Sequence, residues 1–174
     1  MDKFLFYPTK PFSIFQNFGE SLACTEDKPS VPITKRKVIG KVNGMCPMDY
    51  IELYPLLGMA GHNGLDCFAT NGVSLYATVD GTIEEIETEP ERGLGIGIIS
   101  KDKFLFKEGL HYAKVRYWHL KTINVQKRQE VKVGDLIGLA DNTGLSSGDH
   151  LHFELKPVQV TATGIYYNVL QSNG

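Results

Sequence analysis

The stretch from Asp141 to Leu155, DNTGLSSGDHLHFEL, is a turn-rich loop that runs into a short apolar strand. Asn142, Thr143, Gly144, Ser146, Ser147 and Gly148 carry the turn propensity, and the strand alternates apolar residues with His150, His152 and Glu154. Side chains on a strand repeat with period two, so the two histidines and Glu154 share one face. Such a pair reads in two ways: as joint holders of a metal or substrate, or as solvated residues at a sheet edge. The remainder of the chain has to decide between them.

Outward from this strand the same periodicity recurs. LIGLA (136–140) follows a Gly134-Asp135 turn, and YAKVRYWHL (112–120) places Ala113, Val115, Tyr117 and His119 on one face and Lys114, Arg116 and Trp118 on the other. LGIGIIS (94–100) is a strand with glycines where a neighbour comes close. VSLYATV (73–79) alternates as well, and Asp80-Gly81 predicts a hairpin turn into TIEEIETE. In HNGLD (62–66) the neighbouring glycines predict a bend that brings His62 and Asp66 to one point. At the N-terminus FLFYP and PFSIFQNFG read as short strands, the second alternating Phe12, Ile14 and Gln16 against Ser13 and Phe15. The pattern weakens over residues 20–60, an insert in which one short helix is expected from Pro47 to Tyr54, with Pro55 as its stop. Beyond Pro157 the chain is β-like to Val160 and then polar. The expected fold is all-β and mostly antiparallel. The size prior makes residues 1–174 one domain: the 20–60 insert, a 61–157 core and a 158–174 tail.

A net charge of −2 gives no ground for a nucleic-acid partner. The apolar cluster Phe4–Tyr7 is too short for a signal-peptide core, and no run is long enough to span a bilayer. Synthesis and folding in the cytoplasm, without a membrane partner, is therefore the expectation. Cys24, Cys46 and Cys67 form no C-x-x-C pair, and reduced, partly buried thiols are expected ahead of a Cys24–Cys46 bridge.

Four of the five histidines fall in three short motifs, and the fifth, His111, reads as a strand-end residue. If His62, Asp66 and one of the 150/152 pair meet, two imidazoles and a carboxylate suit zinc and leave a fourth position for water. His119 and the other histidine of the pair are then at hand to take a proton or steady an oxyanion. No HExxH helix is present, so a thermolysin-type arrangement is excluded.

HNGLD (62–66), YWHL (117–120) and the run from Thr143-Gly144 to HLHFE (150–154) resemble, in order and spacing, the three signatures of lysostaphin/LytM-type zinc endopeptidases. The resemblance spans about Gly61 to Leu155. It implies cleavage of the peptide part of bacterial peptidoglycan by a zinc-bound water, on a β-sheet with a long groove built from a duplicated hybrid motif. It further implies that His62, Asp66 and His152 hold zinc, that His119 and His150 are catalytic, and that the chain works as a monomer at the bacterial cell wall. Without an export signal, a phage-encoded or virion-associated lysin is expected. Three features depart from the family pattern. The 20–60 insert is long and is expected to wall one side of the groove. Tyr54 is the nearest candidate for an oxyanion-steadying tyrosine. Cys67, next to Asp66, is expected to point away as packing. Glu154 reads equally as a support behind a ligand and as a surface residue. Two other classes compete: a sugar-phosphotransferase carrier, which has no use for His119 or for Asp66 beside HLH, and a wall-binding scaffold, in which ligands would be lost.

Overall fold

The computed structural model describes residues 7–162, 164 and 166–168, so most of the expected FLFYP strand and the end of the tail lie outside the described residues. The strands are β1 (Ile14–Gln16), β2 (Ala23–Glu26), β3 (Val38–Gly40), β4 (Tyr50–Glu52), β5 (Leu65–Cys67), β6 (Ser74–Tyr76) and β7 (Gly81–Glu89). They continue as β8 (Gly93–Phe106), β9 (Gly109–Ile123), β10 (Glu130–Val131), β11 (Leu136–Ala140), β12 (Leu151–Val160) and β13 (Tyr166–Asn168). The larger sheet runs β1-β5-β12-β9-β8-β7-β10, with β11 joining β6 to β9 and β13 added to β12. The pairings are antiparallel, and the fold is mostly antiparallel β as the alternation predicts.

Alternation explains which face packs. Ala113, Val115 and Tyr117 of β9 meet Ile96 and Ile98 of β8, Leu75 and Ala77 around β6, and Ile137 of β11 in one buried cluster. Each valine, leucine or isoleucine among them removed from water contributes roughly 1.5–3 kcal/mol. Tyr117 keeps its polar end satisfied there: its hydroxyl donates to the Tyr76 carbonyl at 3.1 Å and accepts from the Thr78 amide at 3.0 Å. Leu151 is fully buried in the same cluster, which turns His150 and His152 to the opposite face.

Several expectations are corrected. Asp80-Gly81 is a corner rather than a hairpin, because β6 pairs with β11 while β7 pairs with β8 and β10. Glycine is needed at 81 because a Cβ would lie 2.2 Å from the Ile99 carbonyl oxygen. In the insert, Tyr50–Glu52 is a strand paired with β2, and the helical residues are a single turn, α1 (Leu53–Leu56). Pro55 lies inside that turn, where no amide donor is required, rather than ending it. Around β1, Ile14 pairs with Cys67 and Gln16 with Asp66, so Phe15 is an extra residue; Phe12–Gln16 loses its simple alternation at this bulge.

The insert forms its own sheet, β3-β2-β4. Cys24 and Cys46 are joined by a disulfide across it, with Cα atoms 5.7 Å apart, which overturns the expectation of reduced thiols. The physical reason is size: three strands of three or four residues bury little, and small sheets of that kind rely on cross-links. Cys67 is free and fully buried in the core cluster, pointing away from Asp66 as packing. Burial, then the nearby Asp66 charge, pushes its thiol up to about 12. Among the described residues no helix is long and apolar enough to cross a membrane.

Candidate metal centre

Three sheet positions converge. Asp66 is the middle residue of β5, His152 faces it directly across the β5–β12 pairing, and His62 comes in from the bend before β5. His62 Nε2 lies 2.8 Å from His152 Nδ1, and Asp66 Oδ1 lies 3.0 Å from both nitrogens. This triangle is small enough for one ion to reach all three corners at about 2.0–2.2 Å, the distances of zinc–nitrogen and zinc–carboxylate bonds. His62 Nδ1 donates to the Asn17 carbonyl at 3.3 Å, which leaves Nε2 with its lone pair turned to the triangle. All three residues are buried, and the donor set of two imidazoles and one carboxylate fits zinc.

The remaining two histidines lie beside the triangle. His150 donates from Nδ1 to the Gly148 carbonyl at 2.8 Å, with Ser146 Oγ at 3.1 Å, and its Nε2 comes within 3.4 Å of Asp66 Oδ1. His119 donates from Nδ1 to the Thr143 carbonyl at 2.6 Å, and its ring centroid is 4.6 Å from that of His150. Both therefore present a bare Nε2. The structure brings all five singled-out residues to one place, with His152 rather than His150 at the triangle. His111 stays apart, donating from Nε2 to the Glu108 carbonyl near the start of β9.

His119 reaches the site by a route that alternation misplaces. It was expected on the Ala113–Val115–Tyr117 face, which is the core. A bulge on β9 shifts the register, so that Ile96 pairs with Tyr117 but Leu94 pairs with Leu120. His119 takes the left-handed backbone conformation with φ 65°, uncommon for a residue other than glycine and costing roughly 1–3 kcal/mol. Its amide donates to the Arg92 carbonyl at 3.1 Å and its carbonyl accepts from the Asp141 amide at 2.9 Å, which holds that conformation in place. Leu120 takes over the core position, and Trp118 and His119 both lie off the core side.

Charge follows burial and contacts. Burial alone would raise the Asp66 carboxyl, but the close imidazoles of His150, His152 and His62 outweigh it and hold the group well below the usual carboxylate range. Burial, then the His150 charge, pushes His119 down to about 3. His152 is raised: desolvation opposes this, and the carboxylates of Asp66 and Glu154 outweigh it. Glu154 is only 1% exposed, so it is no surface residue. Its carboxyl is held at about 2, against desolvation, by His152 and Lys156.

Above the cluster opens a cleft of about 320 Å³. The insert supplies one wall, with Ala23, Val38, Leu53, Tyr54, Leu57 and Met59, so it does border the groove. Glu89, Glu91, Arg92, Leu145, Ser146 and Ser147 also line it, mostly polar where the insert is mostly apolar. Tyr54 lines the cleft 5.9 Å, ring to ring, from His62, and its hydroxyl accepts from Gln16 Nε2 at 2.8 Å. Gln16 was read only as part of an alternating strand; no motif marks it as a cleft residue.

A buried two-histidine, one-carboxylate cluster on the floor of an open β-sheet cleft has the make-up of a metallohydrolase. Residues 60–163 match the model of peptidase family M23, and the chain belongs to that family of metallopeptidases. The peptidoglycan DD-endopeptidase ShyB of Vibrio cholerae is 37% identical over 103 residues, 59% of this chain and 22% of that protein. The glycyl-glycine endopeptidase ALE-1 of Staphylococcus capitis is 36% identical over 103 residues, 58% of this chain and 26% of that protein. The chain thus spans only about a fifth to a quarter of the length of these curated relatives. Among solved structures, a zinc-containing peptidase from Vibrio cholerae superposes with a TM-score of 0.57 at 27% identity, covering 88% of this chain and 37% of that one.

Proposed function

We propose that this chain is a zinc-dependent endopeptidase that hydrolyses peptide bonds of bacterial peptidoglycan. The observation that supports this most is the convergence of His62 Nε2, Asp66 Oδ1 and His152 Nδ1 beside two further bare imidazole nitrogens. His62, Asp66 and His152 would hold the ion, which supplies a Lewis acid and lowers the pKa of a water to about 7. His119 and His150 act as the proton-transfer pair. Each has Nδ1–H tied to a backbone carbonyl, so Nε2 is fixed as the atom that accepts a proton and later returns it to the leaving amine. Burial keeps His119 neutral at rest, the form a base requires. Because Tyr54 accepts from Gln16, its own O–H is left to donate into the cleft, where it can steady a developing oxyanion.

The two relatives are named for different bonds, a DD linkage and a glycyl-glycine linkage, at nearly the same identity. Residues 20–59 lie outside the family match and supply the apolar wall. We assign the choice of bond to that wall. The working place is the cell wall, and the Cys24–Cys46 bridge fits an oxidising location outside the cytoplasm.

Zinc analysis of the purified chain together with mass spectrometry of fragments released from walls of differing cross-bridge chemistry tests this reading. One zinc per chain and cleavage at a single class of peptide bond is the expected result. A zinc-loaded chain that releases nothing from any wall defeats it.

A further inference from the structure

Behind the metal triangle lies a carboxylate that the mechanism does not use. Glu154 follows His152 by two residues on β12, on the same face, and is almost fully buried. Its two oxygens face different groups. Oε2 meets Lys156 Nζ at 2.8 Å and Arg116 NH1 at 3.8 Å. Oε1 accepts from Asn63 Nδ2 at 3.2 Å and lies 3.4 Å from His152 Nε2.

His152 Nε2 is buried and makes no hydrogen bond as placed; the Glu154 carboxylate is the acceptor facing it. A buried ring nitrogen left without a partner costs roughly 1–3 kcal/mol, so this edge of the ring favours carrying a proton aimed at Glu154. The opposite edge, Nδ1, is the one that meets His62 and Asp66. Gly64 closes the arrangement. A Cβ there would lie 2.8 Å from His152 Nε2 and 2.6 Å from the Phe153 carbonyl oxygen, so only a bare Cα lets the ring sit this deep. Asn63 and Gly64, the interior of HNGLD, thus serve the far side of His152 while the motif's ends serve the metal side.

We propose that Glu154, braced by Asn63 and seated behind the ring that Gly64 admits, is a positioning residue that keeps the His152 proton on Nε2 and so makes Nδ1 the ligand atom. This deepens the zinc reading and rests on it for its purpose, though not for its test. Arg116 and Lys156 keep the carboxylate charged and aimed. Arg116 is itself held by Glu85 at 2.8 Å, which ties the brace to β7. Supports of this kind behind a ligating histidine typically change metal affinity by about 10–100-fold when removed.

The test is ¹⁵N-histidine NMR of the metal-free protein together with zinc affinity by chelator competition. In wild type the neutral His152 ring is expected as the Nε2–H tautomer, with a downfield ring proton. Glu154→Gln should move that proton upfield and weaken zinc binding by about 10–100-fold, and Asn63→Ala should weaken it by less. A purely stabilising role would leave tautomer and affinity untouched. A neutral Nδ1–H tautomer in wild type, or unchanged zinc affinity in folded Glu154→Gln, overturns the proposal. If Glu154→Gln does not fold, the wild-type tautomer still decides. If wild type holds no zinc, the functional reading fails, and the tautomer is read all the same.

Discussion

The floor of the cleft and its insert wall are built on different principles. The floor is specified by register: Asp66 opposite His152, Tyr117 opposite Phe153, and a core of strand side chains beneath them. Its histidines are buried, and His62, His119 and His150 each donate to a backbone carbonyl while His152 Nε2 faces the Glu154 carboxylate. The wall is a separate three-stranded sheet whose central strand is tied by a disulfide to the loop before β4, and it leaves Val42, Met45 and Met48 exposed. Chemistry is placed where geometry is over-determined by packing. The wall, on the function proposed for it, is a small element fastened covalently, with its surface left open to change.

The sharpest way to break this contrast is to remove floor groups. Asp66→Ala and His152→Ala should each lose most of the zinc and, with it, nearly all wall-lysing activity, because only two ligands remain. Undiminished zinc in either variant, by elemental analysis, sinks the ligand assignment. His119→Ala and His150→Ala should keep zinc and lose roughly a hundredfold or more in rate if they transfer protons. The double variant should fall well short of the product of the two losses, since the pair acts as a unit. Lysis rates and zinc content on the same four preparations separate the two kinds of histidine.

The wall should respond differently. Replacing Cys24 and Cys46 together by serine, or reducing the bridge, should lower stability by roughly 2–4 kcal/mol. It should raise KM while leaving zinc content near one per chain. Loss of zinc on reduction would show that wall and floor are one unit rather than two. A further difference is readable in acid. The Glu154 carboxyl is depressed to about 2 in the metal-free fold, so its contribution is fully present above the ordinary carboxylate value and is lost as pH falls through about 2. Acid unfolding of wild type and Glu154→Gln should therefore converge at the low end of that window, and a constant gap down to pH 2 would contradict the depressed value. Smallest of all should be Cys67→Ala, a change in the packed core that alters stability without altering turnover. A folded, zinc-loaded Cys67→Ala chain with no turnover would mean the thiol does more than pack.

The same contrast explains what was legible in the sequence. On the floor, period-two alternation set His150, His152 and Glu154 on one face, because Leu151 is buried in the core and the strand is regular. HNGLD could be read because its glycines mark a bend. His119 was found as a residue but assigned to the wrong face, since a bulge adds one residue without leaving a periodic trace. The wall was scarcely readable. Its strands are three or four residues long, too short to establish a period, and the pairing of Cys24 with Cys46 depends on a strand meeting a loop 22 residues further along the sequence. Gln16, bonded to Tyr54 38 positions away, carries no local signal at all, and Tyr54 is singled out only through the family resemblance.

The bulge at His119 makes β9 a strand with a phase. Up to Tyr117 the odd-numbered residues face the core, and after the bulge Leu120 takes the next core position. Trp118 and His119 are the two consecutive residues that turn outward at the change. Chain length between Tyr117 and Leu120 is consequently under tighter control than residue type. Deleting Trp118 would restore simple alternation with Leu120 still next on the core face after Tyr117, but it would remove the bulge that gives His119 its left-handed backbone and its place in the cleft. A point substitution of His119 removes one group, whereas a one-residue deletion beside it removes the bulge that aims the group and leaves the strand beyond it in register.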